Sequence, residues 1–361
     1  MSKKIYTVIT GTGTYIPPDR IKNDDFLDNE FYDAGGNKLS KANKEIIEKF
    51  KEITTISERR HVSSDLLTSD IAYYASLDAI KSANIDKEEL DYIIFAHNFG
   101  DIATEGSRQL DIVPSLAARV KYRLQIENPN TVVYDLIFGC PGWVQSVITA
   151  DYFIKSGDAK KILVIGADII SRVSDPHDVD SMLYADGAGA VILEAKESDE
   201  PIGILAHKTR SDTLVYSKML FMGESYNADN KNKGDFYLKM NGRKLYQYAL
   251  ETVPKLIKEG LEKCNLHITD INKVLIHQAN GKMDDAILKR LFELYNISEV
   301  PDNIMPMTIA QFGNSSVATI PTLLNLLLNN KIESYKINTG DNLIFASVGA
   351  GMNVNVFIYK V

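Results

Sequence analysis

The chain has 361 residues, with 48 acidic against 40 basic side chains and a formal net charge of -8. That balance excludes a broad nucleic-acid surface, which needs clustered cations to meet phosphates. Only Cys140 and Cys264 are present, which excludes a disulfide framework or a cysteine-rich metal site.

The stretch from Met1 to Ile9 carries charge but no apolar run long enough for a signal peptide, and no segment reaches membrane-spanning length, so a soluble cytoplasmic chain is expected. Strand-like and helix-like runs then alternate from end to end. Strands are predicted at Tyr6–Thr10, Tyr92–Ala96, Val132–Leu136, Ile162–Gly166 and Ala190–Leu193, and helices at Ser69–Ala83 and Trp143–Lys155. Ser156-Gly157 is placed to cap the second helix. Later strands are predicted at Ile202–Ala206, Lys273–Ile276, Asn342–Ala346 and Val354–Tyr359, with helices at Lys244–Cys264, Lys282–Tyr295 and Ile320–Asn329. The alternation points to an α/β body. The polar run Lys196–Glu200, followed by Pro201, divides the chain into residues 1–198 and 199–361; Glu224–Asp235 is a candidate surface loop.

The chemistry centres on Cys140, in Asp135-Leu-Ile-Phe-Gly-Cys-Pro-Gly-Trp143. A strand ends, Gly139 turns the chain, and Pro141 occupies the first position of a helix. A helix N-terminus favours the thiolate, which is the nucleophilic form. A lone cysteine is more often a packing residue, and Cys264, inside a helical run, reads that way. His277 ends the apolar strand Lys273-Val-Leu-Ile-His, where ligands gather in open α/β sheets, although a lone histidine commonly serves only a turn. Each half thus offers one reactive residue where a strand meets a helix start: Cys140 in the first, His277 in the second. Asn314, in Gln311-Phe-Gly-Asn-Ser-Ser316, fits ordinary turn chemistry as well as a site. Gly349 and Gly351 follow a strand and would let backbone N–H groups approach a ligand, or simply form a tight turn. Gly11-Thr-Gly13 lacks the third glycine of a dinucleotide loop and is followed by Pro17-Pro18, so a nicotinamide site is rejected. His97, His177, His207 and His267 show no metal-ligand spacing, and His61 fits a charged surface.

Taken together, Cys140, His277 and Asn314 are where the whole chain resembles the β-ketoacyl-acyl-carrier-protein synthase III family of the thiolase superfamily. Ile9-Thr-Gly-Thr-Gly-Thr-Tyr-Ile-Pro17 is similar to that family's opening strand and turn, and Ile56-Ser-Glu-Arg-Arg60 to its early arginine motif. Asp135 to Cys140 resembles the nucleophile segment. Tyr184-Ala-Asp-Gly-Ala-Gly-Ala190, His277-Gln-Ala-Asn280, Gly313-Asn-Ser-Ser316 and Val348-Gly-Ala-Gly351 follow in the family's order. The resemblance implies a thiolase-like α/β fold: two pseudo-symmetric halves in alternating α and β layers, each with a mixed five-stranded sheet, and the nucleophile helix buried between them. It also implies a homodimer that needs no metal or redox cofactor.

The activity implied is a decarboxylating Claisen condensation in fatty-acid or related secondary-metabolite synthesis. Cys140 would take an acyl group from acyl-CoA or an acyl carrier protein. The backbone N–H groups of Cys140 and Ala350 would hold the oxyanion. His277 and Asn314 would stabilise the enolate formed from malonyl-carrier protein. Asn280 and Lys282 fall where the family meets substrate and carrier. Other readings are a type III polyketide-like, alkyl-ketone-forming or hydroxymethylglutaryl-CoA-synthase-like enzyme, and a non-catalytic acyl-binding subunit. The chain also departs from the family's initiating members. No tryptophan lies in Ile47–Ile53, and Val179 stands near an arginine's place, which leaves open a donor other than acetyl-CoA. Pro141 and Trp143 replace Ala and Phe beside the nucleophile, and Trp143 and Val348 are counted among the substrate-binding positions. Val348 and Val113 stand where bulkier Phe side chains often narrow the malonyl and acyl pockets, so an acyl group longer than two carbons is expected.

Overall fold

The computed structural model describes residues 4–103, 110–229 and 235–361; residues 230–234 of the expected Glu224–Asp235 loop lie outside that range. The first sheet contains β1 (Lys4–Tyr15), β4 (Tyr92–Ala96), β5 (Val132–Leu136), β6 (Lys161–Ile169) and β7 (Asp186–Ser198) in the order β1-β7-β6-β4-β5. The second contains β8 (Gly203–Ser211), β11 (Lys273–Ile276), β12 (Asn342–Gly349) and β13 (Asn353–Lys360) in the order β11-β12-β13-β8. Two ribbons complete the strands: β2 (Asp19–Lys22) with β3 (Glu58–His61), and β9 (Leu220–Gly223) with β10 (Tyr237–Met240).

The sheets repeat one plan. In the first, β4 runs parallel to β6, β6 and β7 form an antiparallel pair, and β1 is antiparallel to β7. In the second, β11, β12, β13 and β8 stand in the same relations. The expected fifth strand is missing from the second ladder among the described residues. Where β5 would have its counterpart, the chain reaches β11 through a hydrogen bond from Val274 N–H to Ile304 O, 2.8 Å. Pro301 and Pro306 flank that contact; neither can donate to a neighbouring strand, so pairing cannot extend.

The principal helices are α1 (Asn43–Thr54), α2 (Thr68–Ala83), α3 (Leu116–Arg123), α4 (Gly142–Ser156), α6 (Gly242–Lys263), α7 (Gly281–Glu293) and α9 (Thr319–Leu328); α5 (Thr213–Tyr216) and α8 (Ile309–Phe312) are single turns. Residues of α2 and α3 pack with one face of the first sheet. Residues of α6 and α7 pack with the second sheet. Between the sheets lie α4 and α9: Trp143, Val147, Leu323 and Leu324 share one core with Ile94 and Val164 of the first sheet and Phe345 and Phe357 of the second. The result is five layers, α-β-α-β-α. Helix α4 is buried on most of its circumference, which explains why its sequence is apolar all round rather than striped. Gly157, at φ +84°, ends it as expected. Helices α1 and α3 are not among the predicted helices: half of α1 is charged, and it buries only Ile46, Ile47, Phe50 and Thr54.

The expected symmetry between Cys140 and His277 is not the one observed. His277 follows β11, whose counterpart is β4, and β4 leads to His97. Cys140 follows β5, which has no ladder counterpart in the second half.

Candidate active site

Cys140 stands between β5 and α4, at a crossing with the turn after β12. Both glycines at this crossing are required by close approach. A Cβ on Gly349 would come within 2.7 Å of the Cys140 nitrogen, and one on Gly139, already at φ +67°, within 2.7 Å of the Ala350 nitrogen. The N–H groups of Cys140 and Ala350 are thereby carried on two turns pressed together. Pro141 caps the helix rather than filling its first position: the helix begins at Gly142, whose N–H donates to Gly139 O at 2.9 Å.

Cys140, His277, Asn314, Asn280, Val348 and Ala350 all line one cavity of ≈ 940 Å³. That volume is near the upper end for small-molecule sites. Burial pushes the Cys140 thiol up to about 11; a hydrogen bond from the Ser316 side chain acts in the opposite direction, and the nearby Asp168 adds to the rise. Burial thus opposes the thiolate that a helix N-terminus would favour. Burial likewise pushes His277 down to about 4, against a smaller opposing effect of the Ser316 backbone. At neutral pH the pair is thiol and neutral imidazole. The backbone of His277 is fixed by donation to Ala346 O at 2.9 Å, while its Nδ1 is buried with no hydrogen-bond partner among the described residues.

Asn314 is held by its backbone against the 183–185 segment: its N–H donates to Leu183 O and its carbonyl accepts from Ala185 N–H, both at 2.9 Å. Its Oδ1 accepts Ser316 N–H at 2.9 Å, which leaves the amide NH2 available. Behind it, buried Arg59 donates to Met182 O at 3.0 Å and to Asn23 Oδ1 at 2.6 Å. Gly313, at φ +67°, passes so close that a Cβ would lie 2.7 Å from the Arg59 side chain. The arginine motif thus supports the loop that presents Asn314.

Ser316 was given no role by the sequence, yet it meets all three candidate catalytic residues through the contacts above. Its Oγ also accepts from Asn98 Nδ2 at 3.1 Å, and Asn98 donates to both oxygens of Asp168, at 2.8 and 2.7 Å. Its place in Gly313-Asn-Ser-Ser316 was the only available signal.

Three other expected positions stand apart from the cavity. Trp143 is a core residue, 1% exposed, between Phe345 and Phe357; an indole on the first turn of α4 fills the space between the sheets, which corrects its reading as a substrate contact. Val113 is 82% exposed and does not line the described cavity. Lys282 is exposed at the start of α7 and pairs with Glu52 at 3.4 Å. Asn280, by contrast, both lines the cavity and caps α7, its Oδ1 accepting Met283 N–H at 3.1 Å. Among the described residues no group of three potential metal ligands occurs, and no helix is long and apolar enough to cross a membrane.

A paired-sheet α/β scaffold with cysteine, histidine and asparagine opening on one cavity defines a thiolase-fold condensing enzyme of the acyltransferase type. The comparisons make the assignment specific. Residues 134–213 match the family model for 3-oxoacyl-[acyl-carrier-protein] synthase III, and residues 261–361 match its C-terminal model. The β-ketoacyl-[acyl-carrier-protein] synthase III of Xanthomonas campestris pv. campestris is 32% identical over 354 residues, covering 97% of each chain. The crystal structure of 3-oxoacyl-[acyl-carrier-protein] synthase III from Aquifex aeolicus superposes with TM-score 0.77 at 29% identity, covering 98% of this chain and 100% of the other. OleA of Xanthomonas campestris shares the fold with TM-score 0.77 at 14% identity over 99% of this chain and 100% of that one. The chain belongs to the 3-oxoacyl-[acyl-carrier-protein] synthase III family.

Proposed function

We propose that this chain joins an acyl group to malonate in thioester linkage, using Cys140, His277 and Asn314. The Cys140 sulfur attacks the carbonyl of an acyl-CoA or acyl-carrier thioester, and the carrier thiol leaves with the thiol's proton. The backbone N–H groups of Cys140 and Ala350 stabilise the oxyanion formed in that step. A malonyl thioester then enters. Neutral His277 and the Asn314 amide donate to its thioester oxygen as carbon dioxide leaves, and the enolate left behind attacks the acyl-Cys140 carbonyl. Cys140 departs as a thiolate and regains a proton, releasing a β-ketoacyl thioester. The mainly apolar lining disfavours water beside the acyl-enzyme.

The observation that supports this reading is the opening of both turns and both polar side chains onto one cavity. In the same reading the chain divides near residue 198, acts in the cytoplasm as a homodimer with no cofactor beyond its thioester substrates, and places Val113 against the partner copy. Lys282 lies on the carrier-docking face. Incubating the protein with acyl-CoA and acyl-carrier donors of increasing length, then weighing it intact, tests the nucleophile. One acyl adduct, lost in Cys140→Ala, is expected. Labelling with acetyl alone would remove the long-chain expectation. Carbon dioxide release from malonyl-carrier protein, absent with or without a donor, would remove the condensing reading.

A further inference from the structure

The cavity's walls are mainly apolar, with Ile46, Phe50, Ile170, Leu183 and Leu238 among the lining residues. Asp180 and Tyr184, on and just after the short Val179–Leu183 helical turn, break that surface. Tyr184 is only 4% exposed, and its Oη is buried with no hydrogen-bond partner among the described residues. Buried hydroxyls are nearly always paired, because an unmet one costs free energy. Its backbone is fixed beside the site, since Tyr184 forms a parallel bridge with Asn314.

Asp180 is the odd member of a charged cluster. Lys239, itself 1% exposed, donates to Asp175 at 2.5 Å and to Asp178 at 3.2 Å, and lies over the Tyr226 ring at 3.4 Å. Its ammonium is thus committed to two carboxylates. Asp180 is left facing the cavity, and burial followed by repulsion from Asp178 pushes it up to about 7. Tyr184 is held well above the usual phenol range by burial and then by Asp180, with Asp178 and Cys140 adding to it. Asp180, Tyr184 and Cys140 all line the same cavity.

We propose that the Asp180 carboxyl and the Tyr184 hydroxyl form a polar subsite that receives a donor–acceptor group of the thioester substrate. The chemistry fits a hydroxyl or a secondary amide. Such a group donates to the Asp180 oxygen and accepts from, or donates to, Tyr184 Oη. Two parts of a substrate carry it: the amides of the carrier arm, or a hydroxyl on the acyl chain. An unsubstituted acyl chain satisfies neither residue, so the subsite discriminates among thioesters that enter the same cavity. This rests on the acyl-Cys140 reading above.

The test measures the second-order rate of Cys140 acylation by intact mass, using acetyl-CoA, octanoyl-CoA and 3-hydroxyoctanoyl-CoA. Wild type is compared with Tyr184→Phe and Asp180→Leu. A subsite for the arm makes both variants slower by about tenfold on every donor that labels wild type, the penalty of one unmatched buried hydrogen bond. A subsite for an acyl hydroxyl confines that loss to 3-hydroxyoctanoyl-CoA. The thermal midpoint of unliganded Tyr184→Phe should equal or exceed that of wild type, since only an unpaired hydroxyl is removed. Variants within twofold of wild type on all donors overturn the subsite, as does a loss of rate that tracks a fall in thermal midpoint. Failure of all three donors to label wild type would instead strike the acyl-enzyme reading.

Discussion

Two histidines occupy matching places in the two halves, and their surroundings differ completely. His97 follows β4; its Nε2 meets Asp135 at 3.0 Å and its Nδ1 accepts Gly100 N–H at 3.1 Å. His277 follows β11 and lines the cavity, with Nδ1 unmet by any described residue. The same strand end therefore carries one ring whose nitrogens are satisfied by the fold and one ring held for something else. The first ties a sheet to α3, because Asp135 also accepts N–H groups from Leu116 and Ala117, both at 2.8 Å. The second forgoes such a partner and opens on the cavity.

Replacing each ring should separate the roles most sharply. His277→Ala should slow malonyl decarboxylation by roughly 10²–10⁴-fold, the usual worth of a positioned donor or acid–base group, while unfolding stability at pH 7 changes little. His97→Ala should do the reverse, lowering stability by about 2–4 kcal/mol through a cavity and broken hydrogen bonds. Parallel urea titrations and carbon dioxide assays check both. Equal losses of activity per unit of lost stability in the two variants would erase the distinction.

Acid should sharpen the contrast. His277 is held near 4 in the folded chain against an ordinary value of 6.5. Between those values protons bind the unfolded chain and not the folded one. Stability present above pH 6.5 therefore falls as pH drops toward 4, by about 3 kcal/mol for this group alone. His277→Asn should remove that part of the slope. Unfolding free energies measured at pH 7 and pH 4.5 should differ less in the variant than in wild type; an unchanged difference would mean that the ring is not buried neutral.

Much of the scaffold was legible because its strands and long helices obey plain periodicities. The continuous apolar run Ile162–Ile165 reads as a strand buried on both faces, and each of its residues is fully buried. Cys140, His277 and Asn314, singled out by glycines, strand ends and the order of the motifs, line one cavity. Three things were not legible. Trp143 was expected at the substrate because it replaces the family's Phe after Cys140, but its side chain on the first turn of α4 lies in the core. The short fifth strand of the second half was expected by analogy, and two prolines prevent it. Ser316 and Asp168 lie 148 residues apart in sequence, and only the packing of the two halves brings them to one sulfur.

The smallest expected effect concerns that serine. Since Cys140 lies near 11, its alkylation by iodoacetamide should rise about tenfold per pH unit from 7 to 10 with no plateau, because only the thiolate reacts. Removing the Ser316 hydroxyl takes away a hydrogen bond that favours the thiolate. Ser316→Ala should then alkylate about three- to tenfold more slowly at pH 9, the worth of one such bond. Malonyl decarboxylation should be nearly spared, because the Ser316 N–H that orients Asn314 belongs to the backbone and survives the substitution. Faster alkylation in the variant would mean that Ser316 stabilises the thiol instead. A matching fall in decarboxylation would mean that the serine holds the loop as a whole, and that the first half's Asn98–Asp168 pair acts on the second half's His277 and Asn314 as strongly as on its own cysteine.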